Sequence, residues 1–98
     1  MPRRTEDLPE EYAAHSRMLG VAIGGRIRQR RRKLRLSQEH VRTRMQLENV
    51  YVSRTQFSRI ETGEILPNAA EIIALAKVLQ ASCAWVLFGA EEEGSEPP

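Results

Sequence analysis

The stretch SRTQFSRIETG, residues 53–63, has the pattern of one short helix with a signal at each end. Ser53 is of a residue type that caps helix N-termini, and Gln56, three positions later, is placed to complete a capping box. Gly63 stands where a left-handed residue commonly ends a helix. The sequence therefore predicts a helix that begins after Ser53 and stops at Gly63.

The polar residues of this predicted helix fall on one side. At about 100° per residue, Phe57 and Ile60 share the side that would face a core. The opposite arc contains no acid and carries four polar residues, Arg54, Thr55, Ser58 and Arg59. Taken alone, this arc fits either a solvated surface, which is usual for polar helix faces, or a surface that meets a partner.

Charge is distributed unevenly along the chain, although the net charge of its 98 residues is only +2. Residues 26–59 contain eleven Arg and Lys against two Glu, which leaves a local charge of +9. Residues 60–98 contain one Lys against seven Glu, which leaves −6. Because surfaces that only need solubility usually mix the two signs, this basic block favours a polyanionic partner such as nucleic acid.

Length and composition are those of a small globular domain. The 98 residues, 41% hydrophobic and 29% charged, suffice for one domain with a modest core. No apolar run reaches the roughly 18 residues of a membrane span, and we expect no signal peptide. The single cysteine, Cys83, excludes an internal disulfide and favours a reducing cytoplasm. We expect Cys83 to be a small buried hydrophobe.

No group of residues in the sequence has the arrangement of a catalytic or metal site. His15 and His40 are far apart, and neither has another histidine or cysteine at ligand spacing. No Ser/His/Asp arrangement, glycine-rich phosphate loop or pair of carboxylates stands out. We therefore expect no enzymatic activity, no metal and no cofactor.

Helical periodicity continues through the rest of the chain, and no segment alternates as a strand does. Residues 9–19 can form a short helix, after which Gly20, Gly24 and Gly25 are expected to loosen the chain. Apolar spacing predicts the next helix over 23–34, and Arg31 falls on its inward side. Further helices are predicted over 38–46, 69–80 and 83–88, with Ser37, Asn68 and Ser82 as their N-caps.

Three segments, taken in order, resemble the lambda-repressor-like, Cro-type helix-turn-helix family, also called the XRE family. They are IGGRIRQRRRKLRLSQEHV (23–41), VSRTQFSRIETG (52–63) and LPNAAEIIALAKVLQASCAWVLFG (66–89). The resemblance implies an all-α, five-helix DNA-binding domain over 21–89. A partly helical N-terminal arm, 1–20, would precede it, and a disordered acidic tail, 90–98, would follow.

The resemblance also implies roles for individual residues. Helix 54–61 would be the recognition helix, with Arg54, Thr55 and Arg59 reading bases and Ser58 as a weaker candidate. Arg31 and Glu61 match a partly buried ion pair. Gln38 matches a position that touches phosphate and supports the recognition helix, although its polarity alone would suit a helix N-terminus. The other predicted phosphate contacts are Ser37, Ser53, Arg26, Arg28 and Arg30.

Some features depart from the family pattern. The caps Ser37 and Ser53 stand 16 positions apart, so the connector 47–52 is unusually long and contains no glycine. We expect its apolar residues to fold back onto the core. Arg35 stands where glycine often ends the first helix, and residues 64–66 lack the basic phosphate contacts common after the recognition helix.

The function implied is a sequence-specific, double-stranded-DNA-binding transcriptional regulator of bacterial or phage type. It would act as a cytoplasmic repressor, without membrane attachment, by binding a palindromic operator as a homodimer. Residues 85–88 would either fill the core or form the dimer contact. Two alternatives remain: an antitoxin that binds both DNA and a toxin, and a protein-interaction adaptor that keeps the fold without reading DNA.

Overall fold

The computed structural model describes residues 9–90, which form five α-helices and, within that range, no β-strand. The helices are α1 (Glu10–Lys33), α2 (Gln38–Leu47), α3 (Arg54–Thr62), α4 (Ala69–Val78) and α5 (Cys83–Phe88). The predicted all-α, five-helix architecture is confirmed. The predictions made for residues 1–8 and for the acidic tail beyond Ala90 lie outside the described residues.

The core lies where all five helices meet, and apolar side chains at helical spacing fill it. Phe57 and Ile60 of α3 are fully buried, as their place on the helical wheel predicted. The other helices contribute Ile23, Ile27, Val41, Met45, Ile72, Leu75, Leu79 and Val86. The apolar residues that recur at helical spacing thus face inwards on each of these helices.

The expectation that Gly20, Gly24 and Gly25 would loosen the chain after residue 19 is wrong, because α1 runs without a break from Glu10 to Lys33. Gly20 and Gly24 lie one turn apart and face the backbone at the end of α3. A Cβ on Gly24 would overlap the carbonyl oxygen of Ile60, and one on Gly20 would stand 2.6 Å from that of Gly63. These glycines thus permit a close crossing of α1 and α3.

Most helix ends have the caps predicted from the sequence. Ser37, Ser53, Asn68 and Ser82 each accept a backbone hydrogen bond from the residue three positions on. Gly63 is left-handed with a φ of 87°. Arg35 also adopts the left-handed conformation expected there, with a φ of 59°.

The capping box predicted at the start of α3 is only half formed. The Ser53 hydroxyl accepts from the Gln56 backbone N–H, but the Gln56 side chain does not return to Ser53. It donates instead to the carboxylate of Glu71 on α4, at 3.0 Å. The buried Glu71 carboxylate lies beside Gln56 only in the folded chain, and it replaces Ser53 as the partner of the Gln56 side chain.

The connector between α2 and α3 is only partly folded against the core. Val52 is buried and Val50 half-buried, as expected, but Leu47 and Tyr51 are 79% and 65% exposed. Asn49 is left-handed, with a φ of 63°, and the Val50 backbone N–H donates to the Met45 carbonyl. This arrangement ends α2 as a Schellman motif, with asparagine in the place of glycine.

Helix α5 lies at the surface and buries only part of its apolar sequence. Val86 is fully buried, Trp85 and Leu87 are half-buried, and Phe88 is 77% exposed. Cys83 is exposed, so the prediction that it is a buried hydrophobe is wrong. Because this six-residue helix packs through Val86, its first residue projects towards solvent.

Candidate DNA-binding surface

Helix α3 divides into a buried and an exposed face. Phe57, Ile60 and Glu61 face the core, and the four polar residues predicted to read bases, Arg54, Thr55, Ser58 and Arg59, are all exposed. The structure therefore brings these four side chains together on one outward surface, here named the reading face. Their contact with DNA remains a prediction.

The two arginines of the reading face are not neutralised within the described part of the chain. Arg54 has no ion pair or side-chain hydrogen bond among residues 9–90. Arg59 lies 3.9 Å from Glu64, measured from Nε to Oε1, and both side chains are more than half exposed. Because exposed pairs at this distance contribute little, both guanidinium groups stay available for a ligand.

A buried ion pair fixes the back of α3 to α1, as the resemblance implied. Arg31 Nε lies 2.6 Å from Glu61 Oε2, and its Nη2 lies 3.0 Å from Oε1. A further N–H of Arg31 donates to the Leu36 carbonyl. The pKa of Arg31 is raised, mainly because of the hydrogen bond with Glu61. Burial lowers this pKa, but the negative charge of Glu61 raises it further. Arg31 therefore remains charged and oriented towards Glu61.

Gln38, the first residue of α2, joins this ion pair. Its side-chain amide donates to Glu61 Oε1 at 2.9 Å, so α1, α2 and α3 meet at one carboxylate. This contact agrees with the expected support of α3. Gln38 is half-buried and Ser37 is exposed beside it, and their predicted phosphate contacts remain predictions.

A second buried carboxylate, which the sequence analysis missed, supports the first turn of α3. Glu71 is only 5% exposed, accepts from the backbone N–H of Asn68, and accepts from the side chain of Gln56. The capping box of α4 is thereby linked to α3. Sequence pattern revealed Asn68 as an N-cap but could not reveal that Glu71 also bonds a partner 15 residues away.

Arg26 and Arg30, predicted to contact phosphate, are instead bonded to the ends of α4 and α5. Arg26 donates to the carbonyls of Val86 and Leu87, at 3.0 and 2.8 Å. Arg30 donates to the Leu79 carbonyl at 2.9 Å, and its guanidinium lies 5.7 Å from the ring centre of Trp85. These cations satisfy helix C-terminal carbonyls and the local dipole, which gives both a role in packing. Their predicted phosphate contacts remain predictions. Arg28 is exposed.

Arg42 of α2 is a further structural arginine that the sequence analysis missed. Its Nε donates to the Val52 carbonyl at 2.8 Å, and its Nη1 lies 2.6 Å from Glu39 Oε1. Val52 directly precedes the N-cap of α3. Arg42 thus holds the end of the connector, a role without a sequence signal because its partner is a backbone carbonyl.

Within residues 9–90, no cluster of three or more His, Cys, Asp or Glu side chains could hold a metal ion. In the same range, none of the helices combines the length and apolarity that crossing a bilayer requires.

Comparison with known proteins agrees with this geometry. A family model described as a helix-turn-helix domain matches residues 22–84, which include α2, the connector and α3. The chain belongs to this helix-turn-helix family, in its XRE, or Cro-like, branch. The resemblance inferred from the three sequence segments is thus confirmed.

One curated relative is the HTH-type transcriptional regulator DicA of Escherichia coli K12, which is 37% identical over 78 residues. That alignment covers 80% of this chain and 54% of DicA, so the chain spans about half the length of this relative. No solved structure matches the chain significantly.

Proposed function

We propose that this protein is a sequence-specific, double-stranded-DNA-binding transcriptional regulator that inserts α3 into the major groove. The observation that carries this proposal is the exposed reading face on a helix whose opposite side is fixed to the core. Two exposed arginines flank small hydroxyl side chains there, and within residues 9–90 only Arg59 has a charged neighbour, Glu64 at 3.9 Å. The name of the relative DicA, a transcriptional regulator, supports the same function.

The dimensions and chemistry of α3 suit the groove. Its nine residues give a length of roughly 13 Å, close to the ~12 Å width of the major groove. Arginine can bind guanine O6 and N7 with two hydrogen bonds, and the threonine methyl group can contact thymine. Arg54, Thr55, Ser58 and Arg59 are therefore assigned to base reading.

Phosphate contacts would come from residues at the edges of this surface. Ser37 and Gln38 lie at the N-terminus of α2, and Ser53 lies at that of α3, where backbone N–H groups and the helix dipole favour an anion. The exposed Arg28 adds positive charge on α1. These contacts would position the protein while the reading face selects the sequence.

We further infer that the protein acts as a homodimer on a palindromic operator and represses by occluding a promoter, in a bacterial or phage-infected cytoplasm. A candidate dimer contact lies at α4 and α5, where Ile73 and Phe88 are more than half exposed. Beside them lies a groove of about 310 Å³, lined mainly by apolar side chains. Sedimentation equilibrium with Ile73→Asp tests this contact, and an unchanged monomer–dimer equilibrium would contradict it.

The main experiment compares two duplexes. A duplex selected by the protein from a random pool and a scrambled duplex of equal length are titrated across a salt series. We expect a steep salt dependence on both and a preference of more than about tenfold for the selected sequence. A protein-interaction adaptor would bind the two duplexes equally at every salt concentration, and that result would contradict the proposal.

A further inference from the structure

The connector between α2 and α3 is held at both of its ends. At its start, left-handed Asn49 and the bond from Val50 N–H to the Met45 carbonyl close α2. At its end, Val52 is buried and its carbonyl accepts from Arg42. A segment held in this way presents its remaining side chains in defined directions.

Tyr51 is the aromatic side chain that this segment directs outwards. Val50, just before it, lines a shallow pocket with Ala70 and Ala74 of α4, and Val52, just after it, is buried. Because successive side chains of an extended chain point to opposite sides, Tyr51 is directed away from α4. Its 65% exposure agrees with this direction.

Tyr51 lies next to the end of α3 that would enter DNA. It is three residues before Arg54, so the two Cα atoms are at most roughly 11 Å apart. In helix-turn-helix proteins the N-terminal residues of the recognition helix contact base edges. The chain that leads into that end must therefore pass the rim of the groove, where the phosphates lie.

The charges around Tyr51 suit a phosphate. Residues 49–60 contain no acid. Two acids on the neighbouring part of the chain are paired with cations: Glu48 lies 3.4 Å from the ammonium group of Lys77, and Glu39 lies 2.6 Å from the guanidinium group of Arg42. Tyrosine hydroxyls are among the side-chain groups that bind DNA phosphate.

We propose that Tyr51 is an additional DNA-binding residue, whose hydroxyl donates a hydrogen bond to a backbone phosphate at the rim of the groove that α3 enters. Arg42 is the positioning residue that holds the connector for this contact. The inference rests on the proposed function, because it requires α3 to meet DNA.

The first test compares Tyr51→Phe with Tyr12→Phe, a matched change at another exposed tyrosine. Loss of one hydrogen bond to a charged phosphate should weaken binding by about tenfold in Tyr51→Phe, on the selected and the scrambled duplex alike. The salt dependence should stay unchanged, since a neutral hydroxyl releases no counterion. Tyr12→Phe should bind as the wild type does. Wild-type affinity in Tyr51→Phe would overturn the inference.

The second test places the photoreactive residue p-benzoylphenylalanine at position 51 or at position 12. We expect cross-linking of the selected duplex from position 51 only. If the wild type discriminates between duplexes but position 51 does not cross-link, this inference is wrong and the proposed function stands. If the wild type does not discriminate, the proposed function is wrong and this inference falls with it.

A third test examines the coupling of Tyr51 to Arg42. If Arg42 positions the connector, Tyr51→Phe should weaken binding less in an Arg42→Ala background than in the wild type. Circular dichroism establishes that the Arg42→Ala protein is folded. Equal losses in both backgrounds would contradict the positioning role of Arg42.

Discussion

Helices α1 and α3 both carry arginines, but the structure uses them differently. On α1, Arg26 and Arg30 donate to carbonyls at the ends of α4 and α5, and Arg31 binds Glu61. On α3, Arg54 and Arg59 project from the surface. The basic block therefore overstates the positive charge that is available at the surface, since part of it holds the domain together.

Position on the helix explains this difference. Arg26 and Arg30 are four residues apart and so share the face of α1 that meets α5 and the end of α4. Arg31, next in the chain, faces α3. On α3, Phe57 and Ile60 occupy the inward side, so Arg54 and Arg59 have no interior partner. The following predictions test whether α1 supports the fold while α3 reads DNA.

The largest effect is expected from Arg31→Ala. Removing this cation leaves Glu61 buried and unpaired, which should lower the free energy of unfolding by about 3–5 kcal/mol. Urea denaturation followed by circular dichroism measures the loss, and the exposed Arg28→Ala is the control. A loss no larger than that of the control would show that the pair does not support the fold.

The same ion pair leads to a prediction about pH. Because the pKa of Arg31 is raised in the folded state, its contribution is complete below the unfolded-state pKa and is lost only as pH rises through the folded value. The stability difference between wild type and Arg31→Gln should therefore not change from roughly pH 7 to pH 10. A steady decline of that difference over this range would contradict the assignment.

Neighbouring glycines offer a sharper test of the crossing between α1 and α3. Gly24→Ala would place a methyl group against the carbonyls of Ile60 and Glu61, and should cost about 1–3 kcal/mol of unfolding free energy. Gly25 has nothing within 4 Å of an added Cβ, so Gly25→Ala should stabilise the helix by about 0.5–1 kcal/mol. Thermal denaturation compares them; equal shifts in Tm would mean that α1 does not cross α3 closely.

Substitutions on α3 should affect binding and leave folding unchanged. Arg54→Ala and Arg59→Ala should each weaken binding to the selected duplex by about 1–3 kcal/mol and relax base preference. Their urea midpoints should match that of the wild type, because both side chains are exposed. Undiminished discrimination between duplexes would remove both residues from the reading face.

The smallest effects are expected from Arg26 and Arg28 of α1, one on stability and the other on DNA binding. Arg26→Ala should lower stability by about 1 kcal/mol through loss of bonds to Val86 and Leu87, without changing base preference. Arg28→Ala should weaken all duplexes equally and reduce the salt slope by about 1. If Arg26→Ala instead reduced the salt slope, Arg26 would contact phosphate as well as holding the end of α5.

Local signals predicted the helices and the reading face well. Ser37, Ser53 and Gly63 mark helix ends through bonds that reach at most a few residues along the chain, so a sequence reveals them directly. The periodicity around Phe57 and Ile60 likewise identifies the outward arc. The Arg31–Glu61 pair was found because Arg31 stands on an apolar stripe and the resemblance supplied its partner.

The sequence-based predictions were wrong where the outcome depends on residues that are distant in the chain. Gly20 and Gly24 look like helix breakers from propensity alone, but their missing side chains let α3 approach α1 closely. Cys83 belongs to an apolar run, yet α5 has too little neighbouring structure to bury it. Gln56 was expected to complete a capping box with Ser53, but in the folded chain its side-chain amide donates a hydrogen bond to Glu71.

The chain's own pattern thus determines where helices begin and end and which face of each is apolar, because those preferences act over one or two turns. Tertiary structure decides which polar groups are bonded inside the domain and which stay exposed at the surface. Arg26 finds its carbonyl partners 60 and 61 residues away. Only packing can bring such groups together, whereas the outward direction of Arg54 and Arg59 in SRTQFSRIETG already follows from the periodicity of that stretch.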